Sequence, residues 1–280
     1  MQNIIKINSN NISKINGNGK NQKLNPVLNF KKVETPIISV IVPVLQEEKI
    51  LNTTLSRFSV QLRNKYKIEL IVSDGGSTDK TIQVAEEYAD IVVKHSKPIR
   101  QTIAEGRNLG AEKASGDILV FINGDTIPEN IEYFFELIFN WSIGNGKYNK
   151  YSALACKVSV PQDEIIFKDK IFYCLHNYYV RFLNALGLGM GRGECQIVRT
   201  DIFRKVNGYN PKLVAGEDFD LYRRIAKVSR VGFAKELQVF ESPRRFRKYG
   251  YLKILYLWTI NALSVIIRGK SISNKWDAVR

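Results

Sequence analysis

From residue 37 onward, short apolar runs alternate with stretches whose apolar residues recur every three or four positions. The runs "IISVIVPV" (37–44), "KIELIVSD" (67–74), "DIVVKH" (90–95) and "DILVFI" (117–122) have the length of strands buried on both faces. Between the first two, residues 47 to about 63 carry Ile50, Leu51, Leu55 and Phe58 on one side of a helix. Thr78-Asp79 predicts the cap of a second helix through Tyr88, and a third spans about 102–113, stopped by Ser115-Gly116. Strands separated by helices of this length join through right-handed parallel crossovers. The pattern therefore predicts an α/β fold, Rossmann-like, with a mostly parallel central sheet flanked by helices.

The fourth run stops at "NGDT". Asn-Gly is a favoured hairpin turn, but "IPENIEYFFELIFNW" reads as a helix with Pro128 at its start rather than as a partner strand. Asp125 is thereby placed at the carboxyl end of a parallel strand, the edge where open α/β sheets bind ligands. Beyond residue 150 the regularity falls. A strand is predicted over 151–160, and residues 164–186 form an aromatic helical stretch expected to pack on the sheet. A Gly-rich loop "GMGRGECQ" and a short strand at 195–198 follow. Next come a helix capped by Thr200 and ended by Gly208, then an acidic helix start at "GEDFD". "VGFAKELQVFES" suggests two short strands before an apolar C-terminal helix at 251–269.

Composition narrows the partners. Lys+Arg number 42 against 27 Asp+Glu, a formal charge of +15 that favours anionic partners without choosing among them. Cys156, Cys174 and Cys195 form neither a metal-ligand spacing nor a disulfide framework. His95 and His176 are too few for a histidine metal site or a Ser/His/Asp triad; His176 reads as a packing residue and His95 as exposed at a strand end. Residues 1–35 are rich in Asn and Lys, lack an apolar core long enough for a signal peptide, and read as a disordered basic tail. In the region 243–280, Lys253 and Asn261 interrupt the apolar helix, and Arg244, Arg245, Arg247 and Lys248 precede it. That pattern fits a helix lying in a membrane interface or one packed on the core.

Four acidic stations follow one another: "PVLQEE", "SDGGSTD", "NGDT" and "GEDFD". They bring Glu47, Asp74, Asp125 and Asp218 within reach of one cleft, with Arg107 in the helix before the fourth strand. Carboxylates beside basic groups suit a divalent cation with hard oxygen ligands, Mg²⁺ or Mn²⁺, and a diphosphate. No Walker loop and no G-x-G-x-x-G occurs, which argues against a P-loop kinase or a dinucleotide enzyme.

The segments "ISVIVPVLQEEKILNTTL", "ELIVSDGGSTDKT", "GRNLGAEKASGDILVFINGDT" and "GEDFDLYRRI", in this order, resemble the family 2 nucleotide-sugar glycosyltransferases of the small, non-processive type. The resemblance implies a GT-A domain over about 36–242, with a nucleotide-binding half to about 127 and an acceptor half after it. It implies a nucleotide-diphosphate sugar donor and a bound divalent metal. Pro43 and Glu47 would flank the nucleotide, Asp74 would bind the base, and Arg107, Asn123 and Gly124 would lie at the donor. Asp125 matches the last Asp of the D-x-D metal motif. Glu217-Asp218 matches the E-D motif, whose Asp activates an acceptor hydroxyl. One departure is Asn123 in place of the first Asp of D-x-D, which leaves a single carboxylate at that turn and implies weak metal binding without donor. The Q-x-x-R-W motif of processive members is absent, so a single sugar transfer is expected.

On the acceptor side, Arg192 is a candidate for a phosphate and Glu194 for a sugar hydroxyl, while Arg244 and Arg245 are candidates for the diphosphate or for lipid head groups. The implied activity is inverting transfer to a lipid-linked or cell-envelope glycan acceptor, peripheral at the cytoplasmic face of the membrane. Were the acceptor a polyprenyl phosphate, already ionised, Asp218 would orient it instead of taking a proton. Two other readings stand beside this one: a nucleotide-sugar-binding protein that has lost turnover, and a nucleic-acid binder. The second is motivated by charge alone and lacks a recognition helix, zinc finger or RNA-binding signature.

Overall fold

The computed structural model describes residues 35–96 and 100–273, together with Val33 and the strands β1 (Ser13–Ile15) and β2 (Asn21–Lys23). Those two strands pair antiparallel within a separate compact unit, Met1–Phe30. The rest of the expected basic tail lies outside the described residues. The second unit, Lys31–Arg280, takes in the whole of the expected catalytic region and the C-terminal helices.

Its strands are β3 (Ile38–Val44), β4 (Ile68–Asp74), β5 (Ile91–Lys94), β6 (Ile118–Ile122), β7 (Ile127–Pro128), β8 (Ala153–Ser159), β9 (Cys195–Arg199) and β10 (Val231–Phe240). The helices are α1 (Leu51–Leu55), α2 (Val60–Tyr66), α3 (Thr81–Tyr88), α4 (Ile103–Lys113), α5 (Ile131–Ser142), α6 (Phe167–Ala185), α7 (Thr200–Lys205), α8 (Glu217–Ala226), α9 (Arg244–Tyr249) and α10 (Tyr251–Arg268). One sheet holds the strands in the order β5-β4-β3-β6-β9-β8-β10-β7. The four strands read from the apolar runs are parallel neighbours, as expected. The other half is mixed: β9 lies antiparallel between β6 and β8, β10 runs parallel to β8, and β7 is antiparallel to β10.

The apolar runs are continuous because both faces of the sheet are covered. Val40, Val42, Leu70, Val72, Val120 and Ile122 face one core with α2 and α5, while Ile41, Ile71, Leu119 and Phe121 face another with α4 and α8. Several local expectations change. The first predicted helix is two short ones, broken before Ser59, whose side chain caps α2. α3 begins at Thr81 rather than at Thr78-Asp79. Pro128 starts no helix: it lies in β7 beside Val239, and α5 begins after Asn130, whose side chain accepts from the Tyr133 amide at 3.0 Å. Thr200 donates to the Gly116 carbonyl at 2.6 Å instead of capping α7. The two strands expected near residues 231–242 are one, β10, with a register shift between Ala234 and Gln238. His95 is half-buried beside Gln101, 3.3 Å away, rather than exposed.

α4 is positioned by a close approach. A Cβ on Gly110 would stand 2.5 Å from the Ile41 Cγ2 of β3, a branched, fully buried side chain that has nowhere to go. The Thr102–Glu105 capping box fixes the start of the same helix, with amide-to-oxygen distances of 2.8 and 3.1 Å. α8 is positioned from the other side by Tyr222, whose hydroxyl accepts from the Ile197 amide at 3.0 Å and donates to the Leu154 carbonyl at 2.9 Å. Replacing Gly110 by Ala is expected to cost about 1–3 kcal/mol of stability through overpacking, read as a lower urea midpoint at unchanged slope.

Candidate active site

Both anchored helices aim polar side chains at the carboxyl end of β6. Arg107, one turn before Gly110, is only 1% exposed. Its Nη1 donates to Glu217 Oε1 at 2.8 Å, and its Nη2 donates to Asn123 Oδ1 at 3.0 Å and to the Gly193 carbonyl at 2.6 Å. The guanidinium lies 5.3 Å from the centre of the Tyr209 ring. Burial works against its charge, but Tyr209, Glu217 and Asp218 outweigh that and keep it protonated. One side chain thus ties together the turn after β6, the loop before β9 and the first turn of α8.

Asn123 finds its reason here. Its amide oxygen is taken up by Arg107, so this position serves the clamp rather than adding charge to a metal. Asp125, two residues on, is 36% exposed at its side chain and faces Arg244 Nη2 at 3.9 Å. Partial burial raises its pKa, with Arg244 and Arg245 pulling the other way. Asp218 stands beside Gly193, and its carboxyl is pushed up to about 7, first by burial and then by the adjacent Glu217.

These groups line one cavity of about 700 Å³. Arg107, Asn123, Asp125, Glu217, Asp218 and the pair Arg244–Arg245 all contribute to its wall. Pro43, Glu47, Asp74 and Gly124 lie outside that wall. Pro43 and Asp74 sit at the ends of the parallel pair β3 and β4. The Asp74 carboxylate accepts from the Gly76 amide at 2.9 Å and the Ser77 amide at 3.0 Å, ordering its own loop. The Glu47 amide donates to Thr81 Oγ1 at 2.7 Å, and its side chain runs alongside Gly124.

The expected acceptor pair is arranged differently from the sequence reading. Arg192 is buried, donating to Glu194 at 3.2 Å and to Glu241 at 2.7 Å over the Tyr173 ring. Two carboxylates already neutralise it, which leaves it poorly suited to seize a phosphate. Glu241, 47 positions further on and invisible to local pattern, is the missing member. Burial and the neighbouring Glu194 raise the pKa of Glu241, while Arg192, working against burial, lowers that of Glu194. The loop carrying Arg192 needs its glycines: a Cβ on Gly191 would stand 2.5 Å from the Tyr222 ring.

Past Asp218 the wall turns apolar, built from α6 and α10. The buried side of α6 grips the sheet through Asn177, which pairs with both backbone groups of Val158 at 3.1 and 2.8 Å. Its outer side, expected to pack, instead exposes Phe167 (75%), Leu175, Tyr178 and Phe182. α10 is long and apolar enough to cross a membrane by length and composition, yet one side docks on the protein. Asn261 explains its interruption: the buried amide accepts from Ile272 and Ser273 at 2.9 and 3.1 Å and donates to Leu257 and Ser273, folding the chain back after Gly269. The other side exposes Leu252 (83%), Tyr256 and Ile267 (78%). His176 is a packing residue, as expected, between Phe172 and Trp258.

A divalent cation is chemically compatible with Asp125, a partly desolvated carboxylate whose ion-pair partner stands almost 4 Å away. Among the described residues no three His, Cys, Asp or Glu side chains converge on one point, so further ligands would come from a diphosphate and water.

Residues 39–139 match the profile of glycosyl transferase family 2. An uncharacterized glycosyltransferase of Haemophilus influenzae is 38% identical over 98 residues, 34% of this chain and 38% of that protein. Glycosyltransferase AglE of Haloferax volcanii is 33% identical over 33% of this chain and 32% of its own length. The chain thus spans about a third of these relatives. Among solved structures, the mannosyltransferase PcManGT from Pyrobaculum calidifontis, in complex with GDP-Man and Mn²⁺, superposes with a TM-score of 0.63 at 16% identity, covering 85% of this chain and 66% of that one. S. aureus TarS in complex with UDP-GlcNAc gives 0.53 at 17% identity, covering 74% and 59%. The fold is GT-A.

Replacing Arg107 by Met leaves Glu217 buried without its partner. The expected cost is about 3–5 kcal/mol in urea unfolding, part of it recovered when Glu217→Gln is added. Asp218 gives a pH signature. Because its folded pKa is raised, its contribution to stability is fully present below the unfolded value near 4 and is lost as pH climbs through about 7. Asp218→Asn should therefore gain stability relative to wild type between pH 4 and 7 and hold that gain above, as followed by thermal unfolding.

Proposed function

We propose, from the match of residues 39–139 to the profile of glycosyl transferase family 2, that this protein is a metal-dependent, inverting glycosyltransferase. It moves one sugar from a nucleotide-diphosphate sugar to a lipid-linked or cell-envelope glycan acceptor. The observation that carries this reading is the meeting of Asp125, Asp218 and the arginines 244 and 245 in one cavity, above the Arg107 clamp.

Each group has a distinct task. Pro43 and Glu47 flank the nucleotide at the ends of the parallel strands. Asp74 shapes the loop that takes the base and keeps a lone pair to offer it. Asp125 would hold Mg²⁺ or Mn²⁺; a cation there supplies positive charge to the departing diphosphate. Arg244, which faces Asp125 from the start of α9, stabilises the charge that develops on those oxygens. Asp218 accepts the proton of the incoming hydroxyl, and its raised pKa suits a base working near neutral pH. Attack from its side, opposite the leaving group, inverts the anomeric centre. Arg107 touches no substrate in this scheme; it is a positioning residue that ties the turn carrying Asp125 to the helix start carrying Asp218. The exposed apolar sides of α6 and α10, beside basic α9, suit peripheral work at the cytoplasmic face of a membrane.

A panel of nucleotide sugars, with and without Mn²⁺, tests the reading by nucleotide release. Release should require the ion and fall to background in Asp125→Asn. In single turnover with acceptor, the rate should rise about tenfold per pH unit below pH 7 and level off above it. Near-full turnover by Asp218→Asn would remove the base assignment.

A further inference from the structure

The cavity that holds Asp125 and Asp218 continues between α6 and α10, where Leu175 and Tyr179 stand with Leu255, Trp258, Leu263 and Ile266 in its wall. This part offers a polar ligand little. The amide of Asn261 is fully engaged within its own turn. His176 is stacked among rings, and burial, reinforced by Arg192, lowers its pKa to about 3, so it stays uncharged. Beyond the cavity lining the same helices expose Tyr178, Phe182, Tyr256 and Ile267 to solvent. At the inner end the chemistry reverses, with Arg244 and Arg245 beside Asp125. A ligand matching this gradient is apolar along its length and anionic at its head.

We propose that the cleft between α6 and α10 takes the hydrocarbon chain of a single-chain lipid acceptor. A phosphate joining that chain to the hydroxyl-bearing group lies against Arg245, while Arg244, which faces Asp125 at 3.9 Å, serves the donor diphosphate. The tail leaves between the two helices, toward the bilayer. This rests on the donor reading above and narrows its acceptor to one chemical class. The size of the cavity is that of a small-ligand site, which fits one chain rather than a two-chain phospholipid.

The test titrates the full-length protein with octyl, decyl and dodecyl phosphate below their micelle concentrations. Each chain carries a terminal bromine, and binding is read by quenching of tryptophan fluorescence. Trp258 lines the cleft, Trp141 is a buried residue of α5 that does not line it, and Trp276 lies outside the described residues, so the Trp258→Phe comparison is made in a Trp276→Phe background. Affinity should tighten about tenfold or more for each two carbons buried. Trp258→Phe should remove most of the quench, and Leu263→Glu, at an exposed position, should weaken dodecyl phosphate at least tenfold. Equal affinity across the chain lengths, or a quench that survives Trp258→Phe, overturns the assignment. The chain-length series needs only the wild type, so it stands even if Leu263→Glu fails to fold. Displacement by dioleoylphosphatidylglycerol vesicles would give the cleft to bilayer phospholipid and equally overturn the acceptor. Donor binding, followed separately by nucleotide release from the wild type, shows whether the underlying reading holds when this one fails.

Discussion

A buried guanidinium is the constraint on which the site depends. A charge taken out of water is tolerated only where partners replace its hydration, and Arg107 has gathered three oxygens from parts of the chain remote from one another. Asn123 brings the end of β6, Gly193 brings the loop before β9, and Glu217 brings the start of α8. Satisfying one side chain therefore fixes where Asp125 and Asp218 stand. The close packing of α4 on β3 at Gly110 sets where that side chain begins.

The same interaction explains why an amide suffices at position 123. A second carboxylate there would compete with Glu217 for Arg107 or turn toward the cavity. The amide oxygen accepts the hydrogen bond without adding charge, and Asp125 is left as the acidic group of its turn. The cavity then divides into a charged end beside α9 and an apolar end between α6 and α10. Arg192 belongs to a third arrangement, a closed pair of carboxyl groups that braces the wall between them.

The parallel half of the sheet was legible because its information is local: apolar runs of strand length separated by amphipathic helices leave little choice of connection. The places of Asp125 and Asp218 in the fold were legible for the same reason, one just past the end of β6 and the other at the start of α8. What stayed hidden depends on distant partners. Nothing near β9 says that it will insert antiparallel beside β6, and Pro128 reads as a helix start until β10 arrives to pair with it. Glu241 is 47 residues from Glu194, so the neutralised state of Arg192 could not be seen. The aromatic stretch of α6 is apolar on more than one side, and periodicity alone does not say that part of it faces outward. Asn261 looked like a flaw in an apolar helix and is the residue that folds the chain back upon it.

The central claim is that Arg107 sets Asp125 and Asp218 on one cavity where a cation and a diphosphate meet. A crystal soaked with Mn²⁺ and a nucleoside diphosphate tests it through the anomalous signal of the metal. The account predicts an ion bonded to the Asp125 carboxylate and to the diphosphate, with Asn123 still accepting from Arg107. An ion held elsewhere, or a diphosphate seated outside the cavity while Asp125 remains on Arg244, would contradict it.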